Sequence, residues 1–196
     1  GHNSVSVEKN DGTRQTITFD HCILATGSRP AIPPNMKLAT DRVMDSTGAL
    51  ALADIPGSLL VVGGGYIGCE LGSVYAALGT KVSVVEMTPT LVPGADRDLA
   101  NVLIRQLEKS FHKIMVKTKV VEMKDKGNKV EVHFEGLHVE QPVQEFDRVL
   151  VSVGRRPNTE NLGLENTRIQ LDQRGFVKID AQRRTNEPAI FAIGDV

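Results

Sequence analysis

The stretch VVGGGYIGCELG, residues 61–72, sets glycines at 63, 65 and 68 where an apolar run gives way to a second, differently spaced one, and Glu86 closes the next apolar run. These residue types in this order suit one kind of chemistry, the holding of a diphosphate and a ribose. Gly63 permits a tight turn out of a strand, Gly65 lets the backbone approach a pyrophosphate, and Gly68 lets a helix lie close to the strands. A helix that opens here offers unpaired N–H groups and a partial positive charge to the phosphates. Gly72 faces the same side as Gly68 and fits close helix–sheet packing. A carboxylate at Glu86 accepts hydrogen bonds from both hydroxyls of the adenosine ribose and repels a 2′-phosphate. Met87, Thr88 and Pro89 follow it, so no Arg or Lys waits there for that phosphate. The expectation is NAD(H) and not NADP(H).

These residues need a strand–turn–helix–strand frame, and the pattern supplies one. Residues 59–63 (LLVVG) predict a strand, 65–78 a helix that Gly79 ends at a C′ position, and 81–86 (KVSVVE) the next strand. Asp96 is expected to cap a helix running to about Phe111, with Leu99, Val102, Leu103, Gln106 and Leu107 on a partly apolar face. Residues 113–153 switch to period two and predict four strands of a β-meander, turning at Gly127-Asn128, with the lysines on solvated faces. Ahead of the βαβ unit, residues 3–26 alternate on both sides of Asp11-Gly12, a hairpin signal. Residues 22–25 predict a buried strand, 30–45 a loop, and Asp45 or Ser46 the N-cap of a short helix. Near the other end, 168–171 and 176–180 predict a short strand pair. Two segments echo each other: ILATGSRP (23–30) and VSVGRRPN (151–158) both leave an apolar run through Gly-x-Arg-Pro. The echo predicts one domain, 1–43 with 155–196, interrupted by a second, 44–154.

With 40% hydrophobic and 24% charged residues among 196, the chain has the composition of an ordinary globular protein. A net charge of −1 offers no basic face for nucleic acid and no basic tract for a membrane. No apolar run approaches the ~20 residues of a membrane helix. Cys22 and Cys69 form no CxxC, CxxxxC or zinc spacing and are expected as buried thiols, compatible with a reducing compartment. His2, His21, His112, His133 and His138 fall on scattered strand and loop positions, none in a catalytic setting, and no metal site is expected.

ILATGSRP, DSTGAL, VVGGGYIGCELGSVYAALGTKVSVVE, VLVSVGRRPNTENLGL, RGFVKID and TNEPAIFAIGD, in that order along nearly the whole chain, resemble the flavoprotein disulfide reductases, most closely their dihydrolipoamide-oxidising branch. The resemblance implies an α/β fold in which a Rossmann-like NAD-binding domain, a parallel sheet with βαβ and a β-meander, is inserted between parts of an FAD-binding domain. It assigns Gly63, Gly64, Gly65, Tyr66, Ile67, Gly68, Glu86 and Gly154 to NAD, and sets Val120 near the adenine. Thr26, Gly27 and Ser28 fall by the flavin nucleotide, Asp195 on a ribitol hydroxyl of FAD, and Glu70 near the flavin N5, paired there with a lysine. On the residues alone, Glu70 is a polar side chain on the first turn of a helix, equally suited to facing solvent.

The resemblance further implies electron flow from dihydrolipoamide through a disulfide and FAD to NAD, a homodimer, and work within a 2-oxo acid dehydrogenase complex in the cytoplasm or the mitochondrial matrix. The family's CxxxxC pair, its first GxGxxG and its catalytic His-Glu pair have no counterpart in these residues. The expectation is a central piece that binds NAD(H) and lacks dihydrolipoamide dehydrogenase activity by itself, because hydride transfer needs the nicotinamide stacked on a flavin. Rival readings are an NADH oxidase or peroxidase type of flavoprotein, a non-catalytic NAD-binding module, and a methyltransferase whose glycine loop holds S-adenosylmethionine. The third glycine, Gly68, followed by Gly72, favours a dinucleotide over the last of these.

Overall fold

The computed structural model describes residues 3–137 and 139–196. The settings of His2 and His138 lie outside the described residues. The chain divides into two compact units, Gly1–Arg29 with Arg155–Val196, and Pro30–Gly154. The first break falls between residues 29 and 30, ahead of the expected 43/44, because Ile32, Met36 and Leu38 of the proline-rich stretch pack into the core of the larger unit.

In the smaller unit, β1 (Ser4–Glu8) and β2 (Arg14–Thr18) form the antiparallel hairpin that Asp11-Gly12 signals, with Gly12 at φ +80°. β3 (Cys22–Leu24) is shorter than expected and only half buried, with Ile23 61% exposed, so Cys22 is a half-buried thiol and not a core one. β4 (Ser28–Pro30) follows.

The larger unit opens with β5 (Val43–Met44) and α1 (Ser46–Leu50), capped by Asp45, whose carboxylate accepts from Gly48 N at 2.9 Å. The βαβ unit is present as β6 (Ser58–Val62), α2 (Tyr66–Ala77) and β7 (Lys81–Val85). Gly79, at φ +99°, ends α2 in a Schellman turn: Thr80 N donates to Tyr75 O and Gly79 N to Ala76 O, each at 3.0 Å. α3 (Arg97–Ser110) starts after Asp96, but the Asp96 side chain caps nothing. Its core face carries Ala100, Ile104 and Leu107, while Leu99 and Val102 are 66% and 68% exposed. The apolar stripe expected from Leu99, Val102 and Leu103 therefore points mostly to solvent. The spacing was misleading because the small Ala100 sets the inward face.

Residues 113–153 hold five strands and not four: β8 (Lys113–Met115), β9 (Thr118–Asp125), β10 (Val130–Gly136), β11 (Val143–Phe146) and β12 (Arg148–Val151). Only β9, β10 and β11 form the antiparallel meander. β8 and β12 join a parallel five-stranded sheet of order β5-β12-β6-β7-β8. β6 is buried on both faces. Leu59 and Val61 pack under α2 and α3, whereas Leu60 and Val62 pack against the meander. That double burial explains the unbroken apolar run LLVV. The order of strand addition switches at β6, since β7 and β8 lie on one side and β12 on the other, and ligands of such sheets bind at the carboxyl ends beside that switch.

The smaller unit resumes with β13 (Arg155–Pro157), which pairs with β4, so the two Gly-x-Arg-Pro segments lie side by side. β14 (Ile190–Ala192) pairs in parallel with β3. The strand pair expected at 168–171 and 176–180 is reduced to one bridge, Leu171 to Val177.

Candidate dinucleotide-binding site

The glycine loop joins the end of β6 to α2, and the glycines of this motif meet different constraints. Gly63 sits at φ +104°, and a Cβ there would lie 2.5 Å from the carbonyl oxygen of Ser152, at the end of β12. At Gly64 a Cβ would meet Leu91 Cδ2 at 2.5 Å and the Glu86 side chain at 3.0 Å. At Gly68 it would collide with Gly63 O and stand 2.8 Å from Ser152 Oγ. Gly72, in the middle of α2, lies against Phe111 as well as the sheet residue Val61. Gly65 is different. Its backbone is ordinary for any residue, at φ −73° and ψ 179°, and a Cβ would meet nothing within 4 Å. Neither conformation nor packing asks for glycine at 65.

Gly65 is the N-cap of α2, and the bond from Cys69 N to Gly65 O, 3.0 Å, opens the helix ladder. The N–H groups of Tyr66, Ile67 and Gly68 precede that bond and are free of intrahelical acceptors. Tyr66 projects its ring into solvent. Glu70, one turn in, is exposed and has no ion pair among the described residues.

Glu86 follows β7 and is bound to the loop. Its Oε2 accepts from Gly64 N at 2.7 Å, and its Oε1 accepts from Thr88 N at 2.8 Å. Each carboxylate oxygen keeps a further lone pair for a donor outside the chain. The loop is closed from above by Val92 N, which donates to Gly64 O at 2.8 Å.

The turn between β8 and β9 lies alongside this acid. Thr118 N donates to Glu86 O and Lys117 N to Thr88 O, both at 3.0 Å. An open cleft of about 470 Å³ follows, lined by Met87, Lys117, Thr118, Lys119, Glu135 and Leu137. Lys119 is paired with Glu135 at 2.8 Å. Lys117 is exposed and meets no carboxylate among the described residues. Sequence order after Glu86 offers no cation. Strand pairing brings two, and only a correct register for 113–119 would have revealed them. Val120 follows on β9, and its side chain, 6% exposed, is committed to the core between sheet and meander. Gly154 sits at φ +148°, with open space where a Cβ would be.

Cys69, on the first turn of α2, directs its Sγ toward Gly64 O at 3.5 Å. Burial, with smaller contributions from the charges of Glu86 and Glu70, pushes its thiol up from 9.0 to about 11. The folded state therefore holds a proton that the unfolded chain releases near pH 9. The resulting stability is fully present below pH 9 and is lost as pH rises to about 11. Denaturant titrations at pH 8.5 and 11 are expected to show a fall that is larger by about 2 kcal/mol than in the Cys69→Ala variant, the remainder coming from groups such as the buried Tyr75 phenol, which burial also pushes up.

The residues placed by the resemblance at a flavin nucleotide lie in the smaller unit. Thr26 Oγ1 donates to Asn158 O at 2.8 Å, and Asn158 Nδ2 donates back to Thr26 O at 2.9 Å. Gly27 is left-handed at φ +67°, with nothing where a Cβ would stand. Ser28 Oγ donates to Asp195 Oδ2, so these two expected neighbours do meet. The residue that joins them, Arg155, was missed. Its Nε donates to Ser28 Oγ at 2.5 Å and stands 3.5 Å from Asp195 Oδ2, while its Nη2 donates to Ser28 O at 2.7 Å. The echo of Gly-x-Arg-Pro was the available signal, since it placed Arg155 on the strand paired with Ser28. Among the described residues, no group of three or more His, Cys, Asp or Glu is placed to hold a metal ion, and no helix is long and apolar enough to cross a membrane.

A family model described as pyridine nucleotide-disulphide oxidoreductase matches residues 1–196, the whole chain. The chain belongs to that family. Among curated relatives, a dihydrolipoyl dehydrogenase of Vibrio cholerae is 41% identical over 196 residues, covering 100% of the chain and 41% of the relative. A dihydrolipoyl dehydrogenase of Bacillus subtilis is 44% identical over 195 residues, covering 99% of the chain and again 41% of the relative. A solved structure of the HOCl-induced flavoprotein disulfide reductase RclA from Escherichia coli superimposes with a TM-score of 0.85 at 32% identity, covering 98% of the chain and 43% of that protein. The chain thus spans less than half the length of the relatives it matches. The Rossmann-like α/β fold expected from the sequence agrees with this neighbour.

Proposed function

We propose that the Pro30–Gly154 unit binds NAD(H), with the pyrophosphate over Gly65 at the start of α2 and the adenosine ribose on Glu86. The observation that carries this reading is Gly65: neither its φ nor packing requires glycine, its place as the N-cap of α2 favours glycine only by about 1 kcal/mol, and the open space beside it suits a ligand. The free N–H groups of Tyr66, Ile67 and Gly68 suit a diphosphate, and the remaining lone pairs of Glu86 suit two ribose hydroxyls. The cleft beyond Glu86 suits an adenine, and any contact from Val120 there falls to its backbone.

The smaller unit, on this reading, holds part of an FAD site. Asp195 has a carboxylate oxygen left for a ribitol hydroxyl, and Gly27 leaves room for a nucleotide beside Ser28. Bound FAD would supply the redox step between a thiol pair and the nicotinamide, with Glu70 near the flavin N5. The whole protein is then an NAD- and FAD-dependent dihydrolipoamide dehydrogenase, a homodimer serving a 2-oxo acid dehydrogenase complex in the cytoplasm or mitochondrial matrix. The 196 residues alone bind NAD(H) without oxidising dihydrolipoamide.

Glu86→Ala tests the ribose assignment. Hydrogen bonds to a charged group are each worth roughly 1.5–3 kcal/mol, and Gly64 N and Thr88 N lose their acceptor as well. Calorimetric titration is expected to show NADH binding weakened by roughly 10–100-fold. Unchanged affinity would remove Glu86 from the site.

A further inference from the structure

We infer that Lys117 is the group a 2′-phosphate would meet beside Glu86, so that the negative charge of Glu86 alone keeps NADPH out. The inference rests on the proposed binding of the adenosine ribose to Glu86. Three backbone and side-chain links put Lys117 there. Glu86 Oε1 accepts from Thr88 N, Thr88 O accepts from Lys117 N, and Glu86 O accepts from Thr118 N. Lys117 is thus the cross-chain neighbour of the segment that carries the acid, and it lines the same cleft as Met87 and Thr118.

Of the two lysines in that cleft, Lys119 is neutralised by Glu135, while Lys117 has no carboxylate partner among the described residues. Lys117 also holds a left-handed backbone, φ +50°, a conformation that asparagine or glycine adopts at lower cost. An ammonium without a carboxylate partner among the described residues, in the cleft beside the segment that carries Glu86, bears unequally on the two coenzymes. Toward NADH it has no phosphate at the 2′ position to attract. Toward NADPH it offers a counter-ion that the Glu86 charge overrides at close range.

The test titrates the 196-residue chain and four variants with NADH and with NADPH by calorimetry: Glu86→Gln, and Glu86→Gln combined with Lys117→Gln, with Lys117→Asn or with Lys117→Arg. Glu86→Gln removes the charge and keeps one acceptor oxygen for the loop. It is expected to raise the NADPH-to-NADH affinity ratio about tenfold. Adding Lys117→Gln or Lys117→Asn is expected to lower NADPH affinity about fivefold, with NADH changed less than about twofold, while Lys117→Arg retains NADPH binding. The Lys117 effect should shrink as salt rises from 0.05 to roughly 0.5 M.

Equal weakening of both coenzymes, or no effect on NADPH, would overturn the assignment of Lys117 and leave the NAD site standing. Failure of the unaltered chain to bind either coenzyme would overturn the NAD site and this inference together. The Lys117→Asn variant suits the left-handed backbone, so a loss shared with Lys117→Gln is not a folding effect.

Discussion

Gly65→Val is expected to abolish NADH binding while leaving the protein folded, its melting temperature lowered by no more than about 4 °C through the poorer N-cap of α2. No other glycine of the loop allows that separation. A Cβ at 65 meets nothing within 4 Å, and the backbone there, at φ −73°, carries no penalty for a side chain. The two extra methyls would instead occupy the approach to the helix N-terminus, where a pyrophosphate must come within hydrogen-bond reach of the N–H groups. Loss of those contacts amounts to at least about 3 kcal/mol, or more than roughly a hundredfold in affinity. Calorimetry for binding and a thermal melt for folding read the two effects independently. A variant that binds NADH normally would show that the space beside Gly65 serves no ligand.

Gly68→Ala has the converse signature. Its Cβ would collide with Gly63 O and press on Ser152 Oγ at 2.8 Å and Val61 Cγ1 at 3.0 Å, two of which belong to backbone or to the buried centre of β6. The helix must move away from the sheet at the one place where β6, β12 and α2 meet. Overpacking of this kind costs about 1–3 kcal/mol, and an orphaned Ser152 hydroxyl, now bonded to Val62 O and Gly63 O, adds to it. The melting temperature is expected to fall by roughly 5–10 °C for a chain of this size. A fall of less than about 2 °C would mean that the close approach of α2 is not a constraint on the fold.

The difference between these two glycines was not legible in the sequence, although the motif was. The spacing 63, 65, 68 and the acid at 86 lie within one strand–turn–helix–strand unit, so local periodicity and glycine placement were sufficient to find them. Residues that complete the site come from far along the chain. Ser152 reaches Gly63 only because β12 inserts between β5 and β6, and Lys117 reaches Thr88 only through the pairing that follows β8. Those are non-local pairings that a period-two pattern cannot assign, and the same limit merged β8 and β12 into an expected meander. β11 escaped notice because Val143–Phe146 is short, largely exposed and preceded by Pro142. Similarly, Arg155 was visible as part of a repeated Gly-x-Arg-Pro, but its role in bridging Ser28 and Asp195 depends on the pairing of β4 with β13.

Glu86 illustrates a residue with two duties that sequence separates poorly. The carboxylate was expected to face a ribose. It also clamps Gly64 N and Thr88 N, and so shapes the loop before any ligand arrives. Preorganisation of that kind lowers the ordering cost of binding.

The most direct test of the account is a calorimetric titration of the unaltered 196-residue chain with NADH, run beside the Gly65→Val variant. Saturable binding to the unaltered chain and a flat trace for the variant are expected. A flat trace for both proteins, each shown folded by its melt, would contradict the proposed NAD(H) site.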